Sequence, residues 1–271
     1  MGARGFIGVL HMPAMPGDPN HSGGGFTAVE HQVLADAAAL AEGGAHGVIL
    51  ENFGSAPFRK GTLGQRIPPH QVALMAILAR GIRTRWPGLS LGINCLRNDA
   101  ASALGIAAAA DADFIRVNVH TGAYITDQGL IEGEAESSLR YRHSLGAGKV
   151  AIMADVLVKH AAPLVPLNAA QATRDTLQRG MADGIIVTGE ATGAPISEGL
   201  LAEVRAAAGE ATAVVLGSGV TPDNAATLAP LADGAIVGTW IKHEGALRNP
   251  VDVVRVRAMA ELLGELLRWP V

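Results

Sequence analysis

Eight short apolar runs rich in Val and Ile punctuate this chain at near-regular intervals. They are GFIGVLH (Gly5–His11), HGVILEN (His46–Asn52), LSLGIN (Leu89–Asn94), DFIRVNV (Asp113–Val119), KVAIMAD (Lys149–Asp155), DGIIVTG (Asp183–Gly189), TAVVLGSG (Thr212–Gly219) and DGAIVGT (Asp233–Thr239). Most are continuously apolar rather than alternating, as expected of strands buried on both faces. Between them lie Ala- and Leu-rich helical segments. AVEHQVLADAAALAEGG closes on glycines suited to a helix C-cap, and PPHQVALMAILARGIRTRWPG opens on prolines and stops at Pro87-Gly88. NDAASALGIAAAADA offers Asn98 or Asp99 as N-cap. Asp113, Asp183 and Asp233 each precede a strand and mark a tight turn out of a helix.

Eight strands alternating with helices over 271 residues predict an α/β fold, a single TIM (β/α)8 barrel domain spanning 1–271. An open doubly wound sheet would need a Gly-rich turn after the first strand, and VLHMPAMPG is not GxGxxG. Hydrophobic residues make up 49% of the chain and charged ones 17%, enough apolar material for a large core and too much for a disordered chain. The net charge of -4 comes with no basic block, and aromatics are only 4%, so nucleic acid is not an expected partner. No apolar run approaches the ~20 residues that span a bilayer, so an integral membrane protein is not expected. The opening MGARGFIGVLHMPAMPG is broken early by His11 and Pro13, which argues against a signal peptide. Phe6 stands where myristoylation needs Ser or Thr. A lone cysteine, Cys95, cannot form an internal disulfide and suits a cytoplasmic protein.

Barrel enzymes place their chemistry at the C-terminal ends of the strands and often bind phosphate at the loops after the last two. The seventh run ends in Gly217-Ser218-Gly219 and the eighth in Gly238-Thr239. Glycine there lets backbone N–H groups approach an anion, so these five residues are the expected phosphate cradle; tight barrel turns are the alternative reading. Polar residues crowd the other strand ends. Glu51, Asp155 and Lys159 are the candidate catalytic residues, and His11, Asn94, Arg116, Asn118 and Glu190 the candidate substrate-binding ones. Glu51 could instead be a structural carboxylate paired with Arg116 or Arg97, and Asp99 is read as an N-cap. His11, Glu51, Asp155 and His160 could hold a divalent metal, but they lack HxH or HExxH spacing, so no metal is expected; no cofactor is expected either. Two Gly- and Pro-rich stretches, after the first and second strands, and a glycine-containing one after the fourth read as covering loops. In the third, an Asp127-Gln128-Gly129 turn is followed by a helix from about Glu134.

IGVLHMPAMPG, GVILENFGSAPF, LGINCLRNDA, DFIRVNVHTGAYITDQGLIEG, ADVLVKHAAPL, DGIIVTGEATG, VLGSGVTPDN and DGAIVGTWIK together resemble the BtpA family, which includes the SgcQ-type proteins. The resemblance runs from about Ile7 to Arg257. It implies a ribulose-phosphate-binding-like barrel. For photosynthetic members it implies a link to biogenesis or stability of photosystem I, and for others a place in sugar metabolism. It brings no settled catalytic residues, and Leu157 stands where the family commonly has a histidine, in ADVHVKHA. Two expectations follow. One is an isomerase, epimerase or aldolase-type lyase acting on a small phosphorylated sugar. The other is a non-catalytic factor for a membrane complex. A homo-oligomer is expected in either case.

Overall fold

The computed structural model describes residues 3–189 and 196–268. Eleven strands and eight α-helices are arranged around one closed barrel. In chain order the strands are β1 (Gly5–His11), β2 (Gly47–Glu51), β3 (Ser90–Asn94), β4 (Phe114–Val117), β5 (Ala123–Thr126), β6 (Gly129–Glu132), β7 (Ala151–Val156), β8 (Ala161–Pro163), β9 (Gly184–Val187), β10 (Ala213–Leu216) and β11 (Gly234–Val237). The barrel closes in the order β1-β11-β10-β9-β7-β4-β3-β2, every pair parallel. Seven of these eight strands fall within the eight apolar runs, and β7 overruns its run by one residue, Val156. The helices are α1 (Gly25–Glu42), α2 (Pro69–Arg85), α3 (Ala100–Ala110), α4 (Ala135–Ser144), α5 (Ala169–Arg174), α6 (Glu198–Ala208), α7 (Pro222–Leu228) and α8 (Val253–Leu266). Of these, α8 has no counterpart in the sequence reading; Asp252 caps it by accepting from Val254 and Arg255 N–H. No helix among the described residues is long and apolar enough to cross a membrane.

Alternation along each strand explains why the runs look continuously apolar. Ile7, Ile49, Phe114, Met153, Ile186, Val215 and Ile236 form an inner cluster, while their neighbours pack outward under the helices. Both faces are therefore buried. The inner layer is tight enough to demand glycine in places. A Cβ at Gly92 would lie 2.2 Å from the Phe114 ring, so the ring itself fills that space.

The opposite, N-terminal rim is held by a repeated clasp. Asp113 accepts from Leu91 N–H, Asp183 from Ile152 N–H and Asp233 from Val214 N–H. Each carboxylate is also gripped by an arginine from a helix: Arg83, Arg142 and Arg205 respectively. His46 takes the same position before β2, accepting from Phe6 N–H through Nδ1 at 3.2 Å. The tight turns expected at the three aspartates are thus strand-to-strand staples.

Two additions dress the C-terminal mouth. After β4 the chain forms a β5–β6 hairpin, and β8 pairs antiparallel with β5, giving a small sheet in the order β6-β5-β8. Tyr124, Ile131, Val119 and Val158 form its own apolar cluster. The expected covering loop is this hairpin, and α4 begins at Ala135, next to the expected Glu134. On the other side, Asp18 ties the loops after β1 and β2 together. It accepts from Met15 N–H, Ser55 Oγ and Gln71 Nε2.

Candidate active site at the barrel mouth

The polar rim is built by the last inward-facing position of each strand. His11, Glu51 and Asn94 come from β1, β2 and β3, and Arg116 from β4. Asn118 follows β4, Asp155 belongs to β7, and Lys159 lies between β7 and β8. Because β8 is pinned to β5, the short segment carrying Lys159 and His160 is held at both ends.

Two cavities meet here. The first, of about 230 Å3, is lined by Gly217, Ser218, Gly219, Gly238 and Thr239, with His11 and Trp240. The second, of about 380 Å3, is lined by Phe53, Phe58, Asn94, Arg97, Asn118 and Asp127, with Leu96 and His160. Glu51, Arg116 and Lys159 line both, so these three side chains form the junction.

Glu51 is oriented by Asn94, whose Nδ2 donates to Oε2 at 2.6 Å. Its Oε1 lies 3.9 Å from His11 Nε2. That contact is not an ion pair. Burial, reinforced by the positive charges of Lys242 and Lys159, pushes the His11 pKa down to about 3, so the imidazole is neutral. Its ring packs edge-on against Phe53, and its Cε1 sits 2.5 Å from where a Cβ of residue 238 would be. Gly238 is therefore glycine partly to make room for His11.

Lys159 has a pKa lowered to about 8, first by burial and next by the Arg116 charge. It stays mostly protonated near neutral pH but gives up its proton more readily than a surface lysine. Its backbone N–H donates to Thr188 Oγ1, and its carbonyl accepts from Arg97 Nη2 at 2.6 Å.

The structure moves Asp155 out of the position expected for a catalytic base. Its carboxylate is held bidentate by Arg116, Nε to Oδ1 and Nη2 to Oδ2 both at 2.9 Å, and by Asn118 Nδ2 at 3.0 Å. The side chain is 0% exposed and lines neither cavity. It serves as the counter-charge that keeps Arg116 in place. Arg116 accordingly pairs with Asp155 rather than with Glu51. Burial works against the guanidinium charge, but the Asp155 and Glu51 carboxylates more than offset it and raise its pKa.

The glycine turns divide in their roles. Gly217 N–H is already taken by Val187 O, so this residue offers no free amide to an anion. Its Cβ would lie 2.4 Å from Ile186, so packing explains the glycine. Ser218, Gly219, Gly238 and Thr239 differ: among the described residues no backbone carbonyl takes their N–H groups. Gly219 adopts φ +71°, a conformation that favours glycine. Among the described residues, Ser218 Oγ, His11 Nδ1 and Asn118 Oδ1 are buried with no hydrogen-bond partner. Buried polar atoms are rarely left unpaired in a folded chain, so these three leave bonding capacity open at the cavity walls.

Of the residues expected at the site, Glu190 lies outside the described residues. Asp99 is the α3 N-cap, accepting from Ser102 N–H at 2.9 Å. No three His, Cys, Asp or Glu side chains among the described residues gather as a metal-ligand set. Trp240, Phe53, Phe58 and Leu96 went unread as site residues. Loop side chains carry no periodicity; the length of the loop after β2 hinted at Phe53 and Phe58, and nothing in the sequence pointed to Leu96 or Trp240.

The sequence matches the BtpA family over residues 3–265. The chain belongs to the BtpA family. A Synechocystis sp. member, named a photosystem I biogenesis protein, is 46% identical over 97% of this chain and 88% of its own. Solved structures share the fold at low identity. A thiamine phosphate pyrophosphorylase from Pyrococcus furiosus has TM-score 0.58 at 13% identity, covering 98% of this chain and 97% of its own. An orotidine 5'-phosphate decarboxylase from Pyrococcus horikoshii has TM-score 0.56 at 14% identity, covering 95% and 98%. This BtpA-family chain thus shares the barrel fold of these two proteins, and its mouth carries the two-part cavity described above.

Proposed function

We propose that this BtpA-family chain is a cytoplasmic enzyme that moves a proton beside a carbonyl of a small phosphorylated metabolite, most simply a sugar phosphate. The observation that carries this reading is the first cavity. It puts a Ser218 Oγ and four backbone N–H groups, all without a partner among the described residues, next to a carboxylate and an amine. The phosphate sits against Ser218, Gly219, Gly238 and Thr239, with Lys159 and Arg116 supplying positive charge. Glu51 takes the proton from the carbon next to the carbonyl; Asn94 fixes its rotamer. Lys159 stabilises the developing enolate oxygen and can return a proton there. Returning the proton to the opposite face of the same carbon makes the enzyme an epimerase, and to the neighbouring carbon an isomerase; as a lyase, Glu51 instead takes the proton of the β-hydroxyl, the Cα–Cβ bond breaks to a new carbonyl and the enolate, and the proton returns to the α-carbon. The phosphate-handling barrels of similar fold support the substrate class by analogy only.

The test has two arms. A panel of sugar phosphates should raise the melting temperature of the wild type, and Gly219→Asp should abolish the effect by adding bulk and like charge. With the stabilising ligand as substrate, Glu51→Gln should cut turnover by roughly 100-fold without unfolding the protein. Undiminished turnover removes Glu51 from the chemistry.

A second reading is favoured by the name of the Synechocystis relative. There the barrel is a factor in assembling a membrane complex. In that case Glu51→Gln leaves assembly intact, and no metabolite stabilises the fold.

A further inference from the structure

The second cavity is far larger than a proton transfer requires, and its polar groups are specific. Arg97 is 5% exposed and lines it. One guanidinium nitrogen, Nη2, is tied to Lys159 O. Among the described residues, Nε and Nη1 have no acceptor, and no carboxylate lies within ion-pair distance of Arg97. The Asp155, Asp127 and Glu51 carboxylates attract it from a distance without pairing, so its planar fork stays open to a carboxylate edge-on. Across the same cavity Asn118 is 3% exposed. Its Nδ2 is committed to Asp155, which leaves Oδ1 as a buried acceptor with no donor. The lobe therefore asks for an anion on one side and a hydroxyl or amine on the other. Asp127 lines it too, and it repels a doubly charged phosphate about twice as strongly as a single carboxylate.

We infer that the second lobe is a carboxylate subsite built by Arg97 with Asn118, and that the substrate is a phosphorylated sugar acid lying across the Glu51–Lys159 junction, phosphate in one lobe and carboxylate in the other. This rests on the phosphate reading of the first lobe. A molecule spanning both lobes has its middle carbons over Glu51 and Lys159, where proton transfer is proposed.

The experiment compares four probes by calorimetry: ribose 5-phosphate, 6-phosphogluconate, fructose 1,6-bisphosphate and gluconate. In the wild type 6-phosphogluconate should bind at least ~10-fold more tightly than ribose 5-phosphate, the gain expected of one charged hydrogen-bonded pair. Arg97→Gln, whose amide can still donate to Lys159 O, should erase that preference. Equal binding of the two by the wild type overturns the inference without using any variant. So does a preference that survives Arg97→Gln, or tighter binding of the bisphosphate. If no phosphorylated probe binds, the phosphate reading fails, and gluconate then decides the lobe alone. Binding of gluconate that Arg97→Gln removes supports the carboxylate subsite; its absence overturns it.

Discussion

Asp155 and Glu51 both end strands on the same rim, yet their surroundings assign them opposite work. Asp155 has no exposed carboxylate surface and three nitrogen donors; Glu51 has one orienting amide and a face on both cavities. Asp155→Asn should therefore act on stability. It leaves Arg116 charged and buried without its counter-ion, and the expected loss is about 3–5 kcal/mol in urea unfolding. Glu51→Gln keeps the Asn94 contact through its amide oxygen and should cost less than about 1 kcal/mol. Equal stabilities for the two variants would show that the Arg116 pair is not what fixes Asp155. Both residues were legible in the sequence as strand-end carboxylates. What separates them is lateral: Arg116 on β4 lies beside β7, which carries Asp155, whereas β3 stands between it and Glu51. That neighbour order was implicit in the eight-strand count, but the bidentate geometry was not.

At the scale of elements, the clasps on the N-terminal rim are a device repeated around the barrel. The aspartates were visible as turn markers. Their arginines were not, because each lies on a helix dozens of positions away and looks like an ordinary solvated charge. The three clasps differ in burial. The Arg205–Asp233 side chains are 7% and 14% exposed, against 15% and 38% for Arg83–Asp113 and 17% and 40% for Arg142–Asp183. Alanine at Asp233 should therefore lower the melting temperature most, by the equivalent of roughly 2–3 kcal/mol, with smaller losses at Asp113 and Asp183. A flat series by calorimetry would remove burial as the controlling factor. The hairpin sheet at the mouth was read as a covering loop and not as strands. Its third strand has three residues and ends at Pro163, which hides it from any strand pattern.

For the whole molecule, the pH dependence of folding collects the strained groups. His11 has its pKa lowered from 6.5 to about 3 by burial, and Lys159 from 10.5 to about 8. In both cases the unfolded chain binds the proton more readily, so stability rises with pH across each window. Acidification from 6.5 toward 3 should weaken the fold through His11, and raising pH from 8 to 10.5 should strengthen it through Lys159. Unfolding free energies across pH 3–7 for wild type and His11→Asn test the first limb. An unchanged slope in the variant would clear His11 of the effect. The barrel itself was legible throughout, since alternating helices and apolar strands of this number have few other ways to bury both strand faces. One feature of its interior reaches into kinetics. The Phe114 ring, seated against Gly92 within the inner apolar cluster, closes the floor beneath the site. Under the proposed activity, substrate enters and product leaves through the mouth, which the Asp127 turn of the hairpin borders. Entry and release then share one end of the barrel. Turnover at saturating substrate should consequently fall in proportion to added viscogen, and a rate indifferent to viscosity would place the slow step in the chemistry instead.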